Sequence, residues 1–160
     1  MRKTKINLLY GSGDVLHTHL NLDPFTSDET DVLTRSDIKN LDSFVDDAEA
    51  QEIIALDVID YIPLTDINAV IKHWVSKLRH GGLLIIGGTD LFEVSKAFAQ
   101  YRLDITEANK LIHGEQSKPY LVKRTNFTTL GLADYLSSLG LKLQKKRIND
   151  FHLTVEATRP

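Results

Sequence analysis

The first residues whose types and spacing could do chemistry are Gly11, Gly13 and Asp23. Lys5 to Tyr10 is a short apolar run rich in strand formers, Gly11-Ser12-Gly13 breaks it, and His19 to Asp23 is a second alternating run ending in an acid. Glycine allows positive φ and carries no Cβ, so a ligand can lie against the backbone at the carboxyl end of the first strand. Asp23, at the end of the next strand, is placed to accept hydrogen bonds from a ribose diol. Strand, glycine turn, strand and acid suit a nucleoside-type ligand above a parallel sheet. The same residues also describe a tight turn with a strand cap.

The spacing narrows the ligand. In a dinucleotide site the glycine turn opens a helix whose N-terminus holds a pyrophosphate, and the ribose acid follows about 20 residues later. Here Asp23 lies only ten residues beyond Gly13. The connection Gly11 to Thr18 spans roughly 26 Å if extended but only about 12 Å as a helix. A helix that short hardly recrosses a sheet, so an irregular connection is expected and the best phosphate site is lost with the helix. That argues against NAD and ATP and leaves a ribose ligand without phosphates, such as S-adenosylmethionine.

The elements that must position these residues follow in order. Asp31 to Thr34 can form a short strand, and Asp42 to Gln51 is acidic and helical or looped. Glu52 to Leu56 has the pattern of a buried strand and runs into Asp57-Val58-Ile59-Asp60-Tyr61-Ile62-Pro63. Thr65 to Arg79 carries apolar residues at helical spacing, with Thr65 as N-cap, and Gly81-Gly82 closes it. Leu83 to Gly87 reads as a strand of a parallel sheet. Asp90 caps a second amphipathic helix to about Leu103, with Leu91, Val94, Ala97, Phe98 and Tyr101 on one face. A further helical piece starts at Asp104-Ile105-Thr106 and ends over Leu111 to Gln116. Thr128 to Leu139 is a helix stopped by Gly140, and Leu141 to Ile148 with Phe151 to Thr158 reads as a hairpin turning at Asn149-Asp150.

Composition bounds the class. With 160 residues and 42% hydrophobic content, one compact domain over 1–160 is expected. The net charge of −3 with dispersed basic residues, apart from Lys145-Lys146-Arg147, suggests neither a nucleic-acid groove nor a membrane patch. The absence of cysteine excludes disulfides, thiolate catalysis and cysteine metal sites, and is compatible with a cytoplasmic location. Met1-Arg2-Lys3 is like the charged start of a signal peptide, but the apolar run after it is short and broken, so neither a signal peptide nor a spanning segment is expected. His73 and His80 lack a partner at metal-ligand spacing, and no metal site is expected.

Several stretches together resemble the class I S-adenosylmethionine-dependent methyltransferases, in a compact, methyltransferase type 11-like subgroup without the first helix after the glycine turn. KINLLYGSG followed by LNLDPF resembles the first two strands, with Gly11-Ser12-Gly13 where Gly-Cys-Gly is usual. The fourth strand and its loop are similar, with Asp60 and Tyr61 at the family's Glu and His. The segment from Leu78 through Gly81-Gly82 to Ile86 is the most specific match, with His80 in place of proline. The resemblance implies an α/β Rossmann-like sheet, mostly parallel with a C-terminal antiparallel hairpin and helices on both faces. It implies cofactor contacts from Gly11, Ser12, Gly13 and Asp23, and adenine contacts from Asp37 and Ile38, although Ser36 or Asp37 could equally cap a turn. His113, Glu115, Gln116, Lys118 and Tyr120 fall on the implied substrate side, where a polar surface loop is the plainer reading. The activity implied is methyl transfer to a small-molecule or glycan-related acceptor, with Asp57, Asp60 or His113 as base where the acceptor needs one and a homodimer as an allowed assembly. The alternative is a catalytically degenerate protein of the same fold serving as a binding or assembly module, which Gly-Ser-Gly and Asp60-Tyr61 would suit.

Overall fold

The computed structural model describes residues 4–160, so Met1-Arg2-Lys3 lies outside the described residues. The strands are β1 (Lys5–Leu8), β2 (Leu20–Asp23), β3 (Leu33–Arg35), β4 (Ala50–Ala55), β5 (Leu78–Thr89), β6 (Lys142–Asn149) and β7 (His152–Thr158). The helices are α1 (Leu64–Lys77), α2 (Leu91–Ala99), α3 (Ile105–His113) and α4 (Thr129–Ser138), with a 3-10 turn at Ile59–Tyr61. The seven strands form one sheet in the order β3-β2-β1-β4-β5-β7-β6. β1 to β5 pair in parallel, while β7 pairs antiparallel with both β5 and β6. The Rossmann-like sheet with its terminal hairpin is thus present as expected.

Helical cover is uneven. Ile6, Leu22, Ile53, Leu84 and Val155 point to one face and share a single core with Val70, Ile71 and Trp74 of α1 and with Leu132, Ala133 and Leu136 of α4. On the other face Ile54, Leu83, Ile85, Thr154 and Glu156 are only half-buried. Helices on both faces were expected, and the described helices α1 and α4 share one face. The reason is local: the connections over 9–19 and 24–32, where a second layer would arise, contain no helix. The 9–19 connection is satisfied by side chains instead. Asn7 Nδ2 donates to Asp14 O (2.9 Å) and to Asn21 Oδ1 (2.7 Å), which also accepts from Leu16 N (2.9 Å). Asn21 Nδ2 donates to Leu16 O at 3.0 Å. A buried asparagine pair therefore does the work that helical hydrogen bonds would do.

Other boundaries differ from the sequence reading for equally local reasons. Pro63, not Thr65, is the N-cap residue of α1, and its carbonyl accepts from Asp66 N (2.9 Å) and Ile67 N (3.1 Å). Gly81-Gly82 does not close α1, because Leu78 is already extended and begins β5. The glycines instead form an irregularity in β5, where Ala50 pairs with Leu78 but Glu52 pairs with Leu83. A Cβ on Gly82 would lie 2.8 Å from Arg79 O and 2.9 Å from Ala50 O, so only glycine fits. α2 stops at Ala99 rather than near Leu103, and Tyr101, expected on its apolar face, is 98% exposed. Val94 and Ala97 of α2 pack with Leu103 and Ala108 in a second, small cluster joined by Phe151 at the hairpin tip.

Candidate functional site

The carboxyl ends of β1 to β4 converge on a cavity of about 580 Å³. Its walls come from Tyr10 after β1, Pro24 and Phe25 after β2, Arg35 at the end of β3 with Ser36 to Lys39 after it, Tyr61 to Pro63 after β4, and Arg124. The volume falls within the range of small-molecule and cofactor pockets, and crevices at strand carboxyl ends are the usual ligand sites of open α/β sheets.

Of the residues singled out in the sequence, Asp37 and Ile38 line this cavity. Ile38 is almost fully buried, and its carbonyl accepts from Trp74 Nε1 at 2.9 Å. Asp37 Oδ1 accepts from Lys39 N at 2.9 Å, closing a turn without a helix. Gly11, Ser12, Gly13 and Asp23 lie beside the cavity but not among its lining residues. Gly11 and Gly13 have φ of 77° and 114°, the left-handed region that glycine tolerates. Asp23 holds the turn: its Oδ1 accepts from Gly11 N (3.0 Å) and Phe25 N (2.9 Å). Both bonds use one oxygen, so Oδ2 keeps acceptor capacity for a ligand hydroxyl.

Aromatic rings cluster above the turn. Tyr10 stacks on Tyr61 with centroids 4.6 Å apart, Phe25 stacks on Tyr120 at 3.7 Å, and Tyr10 meets Phe25 edge-on at 4.8 Å. Burial, and then the neighbouring Asp60 carboxylate, hold the Tyr61 hydroxyl above the ordinary tyrosine value. Tyr61 is therefore a protonated donor near neutral pH and not a base.

The candidate bases occupy different surroundings. Asp60 is 1% exposed, and its Oδ2 accepts from Thr89 N at 2.9 Å and lies 3.4 Å from Lys123 Nζ. Its Oδ1 has no hydrogen-bond partner among the described residues and faces Gly88, where a Cβ would come within 2.6 Å. Burial pushes the Asp60 carboxyl up, against the pull of Lys123. The backbone carbonyl of Asp60 also accepts from Arg124 N (2.7 Å) and Thr125 N (3.1 Å), so this residue anchors the segment after α3. Asp57 has a φ of 55° and approaches His152 Nδ1 at 3.4 Å. His113 is an exposed residue at the end of α3, and its carbonyl accepts from Lys123 N at 3.0 Å. The structure thus brings Asp57, Asp60, Thr89, Lys123 and His152 together at the ends of β4, β5 and β7. Sequence reasoning left Lys123 and His152 unassigned. The visible signal for His152 was its place just past the hairpin turn, level with the end of β5, where it pairs with Thr89. Among the described residues no group of three His, Asp or Glu is disposed to hold a metal ion.

The sequence matches no protein-family model and no curated protein. Solved structures do match. An S-adenosylmethionine-dependent methyltransferase from Thermotoga maritima shares 15% identity over 98% of this chain and 82% of its own, with a TM-score of 0.61. The 1,6-didemethyltoxoflavin-N1-methyltransferase of Burkholderia thailandensis, crystallised with 1,6-didemethyltoxoflavin and S-adenosylhomocysteine, shares 11% over 96% of this chain and 70% of its own (TM-score 0.60). An O-methyltransferase family protein of the same organism shares 16% over 79% of this chain but only 35% of its own (TM-score 0.52), so this chain spans about a third of that relative's length. The fold is that of the class I methyltransferases.

Proposed function

We propose that this protein is an S-adenosylmethionine-dependent methyltransferase acting on a small-molecule or glycan-related acceptor. The observation that carries the reading is the cavity at the carboxyl ends of β1 to β4, walled by the segments that follow four successive parallel strands. The donor set fits an adenosine: apolar walls from Phe25, Ile38 and Ile62, an acid at Asp37, and the second oxygen of Asp23 beside the glycine turn. When bound, the cofactor supplies an electrophilic methyl group on a sulfonium.

The chain's own contribution is chiefly alignment, because holding acceptor and methyl in line supplies a large proximity effect by itself. A base matters only for a hydroxyl or a protonated amine, and Asp57, Asp60 and His113 are the candidates. Of these, Asp57 is accessible and held as a carboxylate: the hydrogen bond from His152 keeps its pKa below the usual range despite partial burial. Asp60, buried and raised, serves better as a fixed anchor. The relatives described above are methyltransferases, which gives the alternative of a degenerate binding module no support.

Calorimetric titration with S-adenosylmethionine and S-adenosylhomocysteine tests the reading. Micromolar binding, about −8 kcal/mol, is expected. Asp23→Ala should weaken it at least tenfold while the protein still folds. No heat up to millimolar ligand would overturn the proposal.

A further inference from the structure

The space opened by the missing Cβ of Gly11 is already in use. A Cβ built there would lie 2.8 Å from Tyr120 Cε2 and 3.3 Å from the Tyr120 hydroxyl, so the ring rests on the very side of the turn that glycine leaves free. The ring is held by other rings: it stacks on Phe25 at 3.7 Å with an interplanar angle of 5°, and stands edge-on to Tyr10 at 6.2 Å. Phe25 and Tyr10 in turn line the cavity, whereas Gly11 and Tyr120 do not. Phe25 therefore stands between an open compartment on the Asp37 side and a compartment over the glycine turn that Tyr120 fills.

Tyr120 sits on a short loop with tied ends. Lys123 N donates to His113 O at 3.0 Å across its base, Gln116 N to Leu121 O at 3.1 Å and Leu121 N to Lys118 O at 3.0 Å within it. Just beyond, Arg124 N and Thr125 N are fixed on Asp60 O. The loop base is thus anchored to the β4 end of the sheet, while the Tyr120 side chain is held by stacking, with Lys118 Nζ 5.8 Å from its ring centre, and among the described residues by no hydrogen bond. Such a ring can swing away without dismantling the loop base, at the cost of its stacking contacts.

We propose that Tyr120 is a displaceable specificity residue: a plain nucleoside enters the open compartment beside it, whereas a nucleoside extended at its 5′ carbon must push the ring off Gly11. This rests on the cofactor reading above and adds to it which part of the ligand the protein must make room for. Aromatic stacking of this kind is worth a roughly three- to tenfold change in an equilibrium constant.

The test compares S-adenosylhomocysteine with adenosine, by calorimetry, on the unmodified protein, Tyr120→Ala and Tyr120→Phe. Tyr120→Ala should bind S-adenosylhomocysteine roughly three- to tenfold tighter and adenosine within about twofold of the unmodified protein, while Tyr120→Phe, which keeps the stacking ring, should match the unmodified protein for both. Unchanged or weaker S-adenosylhomocysteine binding by Tyr120→Ala overturns the proposal, as does an equal gain for both ligands. Failure of both ligands to bind any form overturns the cofactor reading itself, and this inference with it. In the unmodified protein, added S-adenosylhomocysteine should also speed hydrogen exchange at the Leu121 amide. Unchanged exchange with ligand bound would count against displacement.

Discussion

Asp57 and His152 show how two partly exposed residues tune each other. The hydrogen bond to Asp57 raises the His152 pKa above its ordinary 6.5 despite partial burial, and the same contact lowers that of Asp57. The sign follows from linkage. The stabilisation from His152 is lost as pH rises through its raised value, and that from Asp57 is lost as pH falls through its lowered one. Between those limits both are charged and the pair contributes. With side chains 55% and 62% exposed, its worth is at most about 1 kcal/mol. Proton NMR titration of His152 should give a pKa above 6.5, and Asp57→Asn should bring it back toward that value. A His152 titration unchanged by Asp57→Asn would show that the contact does not govern either residue.

Between secondary-structure elements, Asp90 is the joint that matters most. Its Oδ1 caps α2 through Glu93 N (3.1 Å), and its Oδ2 accepts from both the amide (3.0 Å) and the hydroxyl (2.6 Å) of Thr129 at the start of α4. Burial alone would raise its pKa, but these hydrogen bonds outweigh burial and lower it. The stability they supply is therefore present above the ordinary carboxylate range and lost as acid takes pH down through the lowered value. Asp90→Ala should cost about 2 kcal/mol in urea unfolding at neutral pH, and the loss should shrink in acid. The cap on α2 was readable from sequence because Asp90 precedes an apolar periodicity; its second bond to Thr129, 39 positions away, was not. The same division runs through the chain. The strand at Leu83 to Gly87, the terminal hairpin and the helix-free connection after Gly13 followed from local pattern and spacing. The Asn7–Asn21 pair and the Tyr120 ring over Gly11 depend on contacts between distant segments, which periodicity does not encode.

The described residues form two unequal hydrophobic units. One core runs through the sheet, α1 and α4, and the other joins α2, α3, Leu103 between them and Phe151. The smaller unit buries few apolar side chains, so amides in α2 and α3 should exchange faster than those of α1, with far-UV ellipticity beginning to fall at lower urea than the large core opens. Coincident exchange rates and transitions would mean that the two units unfold as one. The chain's single tryptophan, Trp74, is fully buried in the large core. Its indole N–H is bonded to the carbonyl of Ile38, a residue of the cavity wall. Its emission should stay blue through any early loss of α2 and α3, and respond when a guest settles against Ile38. The protein thus carries a built-in fluorescent gauge, silent for the small unit and sensitive to the wall of the cavity.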